Sequence, residues 1–344
     1  PDHYQESPKM SVAHRTSPTN IGLYLLSILG AWDLGYIGVG QVLDRVEASL
    51  ASIARLEKWH GHLYNWYDTK SLQPLRPFYI STVDSGNLVG YLIALRQGLL
   101  EIVTTSSLDL GRWQVGLADT FALMRSEVRG DDGNWSGTGE AMAQLDIDAE
   151  ELFDAGTLLP SATRGYAALA NLERRLGHIT KVERSINGQG RSRETWTLRL
   201  AAMVASYRQE IEEIHAWAPQ LMDIPAGLRD GALPQDVKAI WASSLAMLNS
   251  RTPLLELPQR YRKVKDAIDQ MMGLLQNVEM ENDCKDQTLQ WLGGLKEALE
   301  QSGQAAQAWI QKCYSLAEQL QSLVANTEFQ HLYDEKRHMF SIGH

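Results

Sequence analysis

The residues best suited to chemistry lie in one polar stretch of the sequence, between residues 60 and 87. It contains the run Asn65-Trp66-Tyr67-Asp68, which sets two aromatic rings beside a carboxylate and an amide. Carbohydrate sites use this mixture, because a ring face packs on the C–H face of a sugar while Asp or Asn pairs with its hydroxyls. The same residues also suit a loop whose rings are anchored in the core and whose Asp68 caps a turn. Residue types alone leave both interpretations open.

Helix starts form a second group of polar candidates. Asp84 opens a predicted helix in the run Asp-Ser-Gly-Asn, so it serves either as an N-cap or as a carboxylate that points into a pocket. Arg15 and Asn20 lie at the equivalent start of the first predicted helix. In a barrel of helix pairs such loops collect at one end, where a cleft forms. The predicted substrate-binding residues are therefore Arg15, Asn20, Asn65, Trp66, Tyr67, Asp68, Asp84 and Asn87.

The sequence predicts neither a metal site nor a cofactor. His60 and His62 flank Gly61, but no third ligand is evident beside them, which favours hydrogen bonding to sugar or loop packing. The chain has no Gly-x-Ser-x-Gly elbow and no P-loop. Gly38 and Gly40 follow a predicted helix rather than a strand, so they do not predict a dinucleotide site.

Composition is that of a globular protein and argues against a nucleic-acid partner and a membrane span. The 344 residues are 44% hydrophobic and 22% charged, with a net charge of −10. A nucleic-acid partner is not expected, because phosphate binding needs a basic face. Without a run of 18 apolar residues, no transmembrane span is expected either. The chain begins with Pro and stops just after a motif-like stretch, which predicts a piece of a longer protein.

The elements that must position these residues are helices. Apolar residues recur at spacings of three and four in nearly every periodic segment, and Ser17-Pro18 is typical of a helix start. The pattern predicts an all-α protein with helices near 19–31, 41–59, from 84 onward, 112–128, 162–179, 194–218, 234–249, 257–278 and 286–326. Near residue 130 short helices with long polar loops give way to long helices with short loops.

Five motifs carry a resemblance to a known family. They are 15–27 (RTSPTNIGLYLLS), 33–37 (DLGYI), 65–69 (NWYDT), 81–88 (STVDSGNL) and 333–343 (YDEKRHMFSIG). In this order they resemble the glucoamylase-like central domain of cyclic β-1,2-glucan synthases. The clear resemblance covers about 14–104 and 328–343.

The resemblance implies a fold and a function. The fold is part of an (α/α)6-type barrel, formed by residues 14–128 and 327–344, with residues 129–326 as a long helical insertion. The function is to bind β-1,2-glucan and close it into a ring by transglycosylation, as a bacterial transferase. The catalytic acid/base pair is expected beyond residue 344, in further motifs of the family, so the isolated chain is expected to be inactive.

The resemblance also implies partners and a location. The partners are β-1,2-glucan and the other domains of the parent chain. The segment is expected on the cytoplasmic face of the bacterial inner membrane, as a soluble part of a membrane protein. Two alternatives stay open: a β-1,2-glucanase-like glycoside hydrolase with the same barrel, and a non-catalytic helical module that binds glucan or acts as a scaffold. The first differs only in its acceptor, and the second would stand alone without further motifs.

Overall fold

The computed structural model describes residues 3–5, 10–105, 110–129, 145–146, 149, 162–187, 195–229, 233–277 and 282–344. Helices dominate this part of the chain: α1 (Pro18–Asp33), α2 (Val39–Arg55), α3 (Thr82–Thr104), α4 (Leu110–Arg129), α5 (Ala162–Asn187), α6 (Trp196–Ile214), α7 (Ala226–Arg229), α8 (Gln235–Asn249), α9 (Leu257–Gln276) and α10 (Asn282–Ala325). Three 3-10 turns cover Gln220–Met222, Leu254–Glu256 and Phe329–Leu332. The predicted all-α class is confirmed.

The strands are short, and each forms a two-stranded pair. They are β1 (His3–Gln5), β2 (Ser11–Ala13), β3 (Arg15–Thr16), β4 (Lys58–Trp59), β5 (His62–Leu63), β6 (Tyr67–Asp68), β7 (Tyr333–Asp334) and β8 (Met339–Phe340). All pairs are antiparallel: β1 with β2, β3 with β6, β4 with β5, and β7 with β8. Their role is to fix loops between helices.

Helix α2 ends four residues before the sequence predicts. After Arg55 the Lys58 ammonium donates hydrogen bonds to the carbonyls of Ile53 (2.7 Å) and Leu56 (3.0 Å). These bonds satisfy backbone acceptors that a helix end leaves open, and a cation suits the negative end of the helix dipole. The chain then turns into β4 instead of continuing the helix to Trp59.

The chain divides into two compact units. The first unit comprises Pro1–Trp32, Gly40–Val103 and Gln311–His344, and the second comprises Asp33–Val39 and Thr104–Ile310. Every residue of the predicted site lies in the first unit. The domain boundaries predicted at 129 and 327 stay a prediction.

The core of the first unit is formed by α1, α2, α3 and the end of α10. Leu25, Val46, Leu95 and Leu320, one from each helix, are fully buried. α1 and α3 approach closely where Gly22 faces the ring of Tyr91, since a Cβ at Gly22 would overlap that ring. At the helix surface, Lys312 contacts Asp44 and Glu47 at 2.9 Å each. This packing holds the start of α3 beside the start of α1.

The second unit has an aromatic core. The rings of Trp113 and Tyr207 stack with centroids 4.4 Å apart, and the Tyr207 hydroxyl donates to the carbonyl of Gly35. Trp217 is completely buried and packs edge-on against His215.

Among the described residues, no helix combines the length and apolar character needed to cross a lipid bilayer.

A buried histidine in this unit should make stability depend on pH. Burial lowers the pKa of His215 to about 3, and its Nδ1 lies 2.6 Å from the hydroxyl of Tyr261. An unfolded histidine titrates near about 6.5. Below that pH the unfolded chain therefore binds a proton that the folded chain does not. The free energy of unfolding is therefore highest above about pH 6.5. It decreases as the pH falls from about 6.5 toward 3, by up to about 1.4 kcal/mol per pH unit.

The measurement is urea unfolding at several pH values between 7 and 5. His215→Phe keeps an aromatic ring but removes the titrating group. The free energy of unfolding of the unsubstituted chain should fall more steeply with acidification than that of His215→Phe. Parallel pH profiles for the two proteins would contradict a neutral, buried His215.

Candidate functional site

Two serines cap the helices that carry the predicted site. At α1 the Ser17 hydroxyl accepts a hydrogen bond from the backbone N–H of Asn20, at 3.2 Å. At α3 the Ser81 hydroxyl accepts the same bond from Asp84 N, also at 3.2 Å. Asn20 and Asp84 therefore occupy equivalent third positions of their helices. The interpretation of Asp84 as the N-cap is wrong, because Ser81 fills that role and leaves the Asp84 carboxylate for other contacts.

The Asp84 carboxylate joins the first helix to the polar loop. Its Oδ1 accepts a hydrogen bond from the Thr19 hydroxyl at 2.5 Å. Its Oδ2 accepts one from the side-chain amide of Asn65 at 3.2 Å, with that amide oriented to satisfy its neighbours. Thr19 lies 65 residues from Asp84 in the sequence. The carboxylate is thus held from two directions.

The chain of hydrogen bonds continues to Trp66. The Asn65 side-chain oxygen accepts from the indole N–H of Trp66 at 3.1 Å. The guanidinium carbon of Arg15 lies 4.5 Å from the centroid of the Trp66 ring, within range of a cation–π contact. Trp66 itself is half-buried, so part of the ring stays accessible. A backbone bond from Asn65 N to the Tyr79 carbonyl, at 2.8 Å, fixes the loop.

Asn87 lies at the exposed end of this polar cluster. Its side-chain amide is 3.5 Å from the Thr19 hydroxyl, and Asn20 follows Thr19 at the start of α1. We call Thr19, Asn65, Trp66, Asp84 and Asn87 the polar cluster. Sequence reasoning missed Thr19, although its place next to Asn20 in the first motif was a usable signal.

Tyr67 is not part of the polar cluster. It is completely buried, and its hydroxyl donates to the carbonyl of Glu57 (2.6 Å) and accepts from the N–H of Tyr64 (2.8 Å). Burial also raises its pKa. In an extended segment consecutive side chains alternate sides, so Trp66 and Tyr67 face opposite ways. Tyr67 anchors the loop, which is the role that the sequence had left open as the alternative to sugar binding.

Asp68 closes a turn next to the polar cluster. Its Oδ1 accepts from the N–H and the hydroxyl of Ser71 (2.7 and 3.0 Å) and from the N–H of Lys70 (2.9 Å). The bond from the Ser71 N–H is the largest cause that lowers the pKa of Asp68. In the β3–β6 pair Asp68 stands opposite Arg15. Asp68 therefore lies next to the polar cluster, with one carboxylate oxygen committed to the turn.

The last motif lies beside the start of α3. Ile80 and His344 exchange two backbone hydrogen bonds of 2.9 Å, and Thr82 N donates to the Ile342 carbonyl at 3.1 Å. Gly343 fits between them because a Cβ there would overlap the Tyr79 hydroxyl and the Ile80 carbonyl. Two of the sequence motifs, 81–88 and 333–343, thus meet in space.

Comparison with known proteins bears on this arrangement. No protein-family model matches the chain. A segment of 273 residues is 32% identical to the cyclic beta-(1,2)-glucan synthase NdvB of Rhizobium meliloti (strain 1021). The chain is related to the cyclic β-1,2-glucan synthases. The match covers 78% of this chain but only 9% of that protein. The predicted resemblance to cyclic β-1,2-glucan synthases is confirmed, and the relative is a far longer protein.

Proposed function

We propose that the polar cluster is part of the wall of a β-1,2-glucan-binding site. The observation that carries the proposal is that Asp84, freed from capping, is linked in one hydrogen-bonded chain to Thr19, Asn65 and Trp66. A carboxylate oxygen can accept more than one hydrogen bond, so Asp84 can still receive sugar hydroxyls. The fixed partners orient the carboxylate before a sugar arrives, which lowers the entropic cost of binding.

The aromatic and cationic neighbours fit a sugar as well. The accessible part of the Trp66 ring offers an apolar surface for the C–H face of a glucose unit. Arg15 on the same ring adds hydrogen-bond donors, and the exposed amide of Asn87 adds both a donor and an acceptor. The set provides what a neutral, hydroxyl-rich ligand requires, and it does not need a metal or a cofactor.

For the whole protein we propose a cyclic β-1,2-glucan synthase that closes its product by transglycosylation. The present segment then supplies part of the (α/α)6-type barrel and of its binding wall, with residues 129–326 as a helical insertion. The two carboxylates that retaining glycosyl transfer requires would come from elsewhere in the parent chain. Support comes from the five motifs and from the relative named as a glucan synthase. The parent would be an enzyme of the bacterial inner membrane, with this segment on the cytoplasmic side.

The direct test is calorimetric titration of the purified chain with linear β-1,2-glucan oligosaccharides. We expect binding that Asp84→Ala weakens by about 10–150-fold, because a hydrogen bond to a charged group contributes roughly 1.5–3 kcal/mol. Asn87→Ala should weaken binding less. Its matched control is Asn171→Ala, another exposed asparagine on a helix, which should bind as the unsubstituted chain does.

Two further measurements test the remaining predictions. Asp68→Asn tests whether Asp68 binds the sugar or only closes its turn. A loss of glucan affinity would show that Asp68 binds the sugar, and unchanged affinity would show that it only closes the turn. Incubation with the glucan, followed by mass spectrometry, separates cyclic products from shortened linear ones, and we expect neither from this chain alone. Equal affinity of Asp84→Ala and the unsubstituted chain, with both correctly folded by circular dichroism, would remove the polar cluster from the site.

A further inference from the structure

A second cluster of reactive side chains lies in the first unit and shares no residue with the polar cluster. His60 is in the tight turn between β4 and β5, Glu328 directly precedes the 3-10 turn Phe329–Leu332, and His331 lies within it. Glu328 N donates to the His60 carbonyl at 3.1 Å, which ties the two segments together. The Glu328 Oε2 atom lies 3.5 Å from His60 Nδ1 and 2.9 Å from His331 Nε2. The sequence had offered no third ligand near His60, and the fold supplies two.

The distances are compatible with a metal-ligand set. The three ligand atoms lie within 4.8 Å of one another. A tetrahedral Zn²⁺ with bonds of about 2.0–2.1 Å places its ligand atoms roughly 3.3 Å apart, and the two contacts to Glu328 lie on either side of that value. The rings of His60 and His331 stack at 3.8 Å with a 28° tilt, so one ring must rotate before both can direct a nitrogen to a common ion.

A buried, unsatisfied imidazole beside the cluster is the second observation. His62 is only 1% exposed, and neither of its ring nitrogens makes a hydrogen bond of good geometry. Its charge interactions are with His60, His331 and Glu328, so it lies next to them. Buried polar atoms are nearly always paired. The ring also lies near the Glu328 backbone, and a water on a metal at the neighbouring cluster would give it a hydrogen bond of good geometry.

We propose that His60, Glu328 and His331 bind a divalent transition-metal ion of the Zn²⁺ class. Two imidazoles and one carboxylate are typical zinc ligands and leave a fourth position for water, whereas Mg²⁺ and Ca²⁺ prefer oxygen ligands alone. All three side chains are exposed, so the ion has free access. The ion joins the β4–β5 turn to the 328–331 segment, which are far apart in the sequence. Its role is structural, and it is independent of the proposed glucan site.

The experiment uses the 344-residue chain without a polyhistidine tag, treated with a chelator and then titrated with ZnCl2. We expect one equivalent of Zn²⁺ to bind and to raise the thermal midpoint, since a ligand specific to the folded state stabilises it. Removing only a group that hydrogen-bonds to a metal ligand already weakens metal binding by up to about 100-fold. Removing a ligand itself should have a larger effect. His331→Ala and Glu328→Gln should therefore weaken metal binding by more than about 100-fold. Co²⁺ should give the intense visible absorption of a four-coordinate site.

The controls separate a built site from surface histidines in general. His178→Ala removes another exposed histidine, on α5, and should leave the affinity unchanged. Glu328→Asp keeps the carboxylate and should retain part of the affinity. MgCl2 and CaCl2 should not compete. The proposal is overturned if the chain binds no stoichiometric Zn²⁺, or if His331→Ala and His178→Ala bind it equally well while both retain the far-ultraviolet spectrum of the folded chain.

Discussion

Tyr67→Ala should lower the free energy of unfolding of the first unit by about 3–5 kcal/mol, the usual cost of deleting a large buried aromatic side chain. Tyr67 is fully buried, and its hydroxyl bonds both the Glu57 carbonyl and the Tyr64 N–H. Tyr67→Phe retains the ring but leaves that donor and that acceptor unpaired, at a cost of about 1–3 kcal/mol. Urea unfolding of both variants measures the two effects separately.

Tyr24→Ala is the control for Tyr67→Ala. Tyr24 is on α1 with 49% of its surface exposed, so its removal should change stability by less than about 0.5 kcal/mol. The opposite pattern, a stable Tyr67→Ala protein that no longer binds glucan, would return Tyr67 to the binding wall where the sequence had placed it.

Gly61→Ala should lower the free energy of unfolding by about 3 kcal/mol. Gly61 has a φ of +80°, a conformation that costs a residue with a Cβ about 1–2 kcal/mol. A Cβ there would also overlap the carbonyl of Asn326 and crowd the backbone of Thr327, which cannot move aside as a side chain can. Thermal and urea unfolding of the purified variant provide the check.

Gly86→Ala is the matched control for Gly61→Ala. Gly86 is the fifth residue of α3, and a Cβ there would meet no atom within 4 Å. Alanine stabilises a helix by roughly 0.8–1.0 kcal/mol relative to glycine, so this variant should be slightly more stable than the unsubstituted chain. A Gly61→Ala protein as stable as Gly86→Ala would show that residues 326–327 do not press on the β4–β5 turn.

Helix positions were determined by the sequence itself. The apolar stripe that includes Leu88, Leu92 and Leu95 is the buried face of α3, and Ser17-Pro18 starts α1 as predicted. Such signals are local, because periodicity and capping involve residues at most a few positions apart. Where a side chain beyond the helix intervenes the prediction fails, as when Lys58 ends α2 at Arg55.

The motifs in the sequence also indicated the related proteins and the part of the chain that holds the polar cluster. What the tertiary structure decided is which of these polar residues meet. Trp66 joins Arg15 and Asn65, while its neighbour Tyr67 points into the core. Asp84 gains its partner from a helix 65 residues away.

The same holds for the histidine cluster, where Glu328 and His331 reach His60 across more than 260 residues of chain. No spacing rule spans such separations, because a contact between distant segments exists only once helix packing has fixed their positions. Local chemistry therefore specified the elements of this protein and the residue types of its candidate site. Only packing in three dimensions decided that the Asp84 carboxylate does not cap its helix and that Tyr67 is buried. It also decided that His60 and His331 lie next to each other.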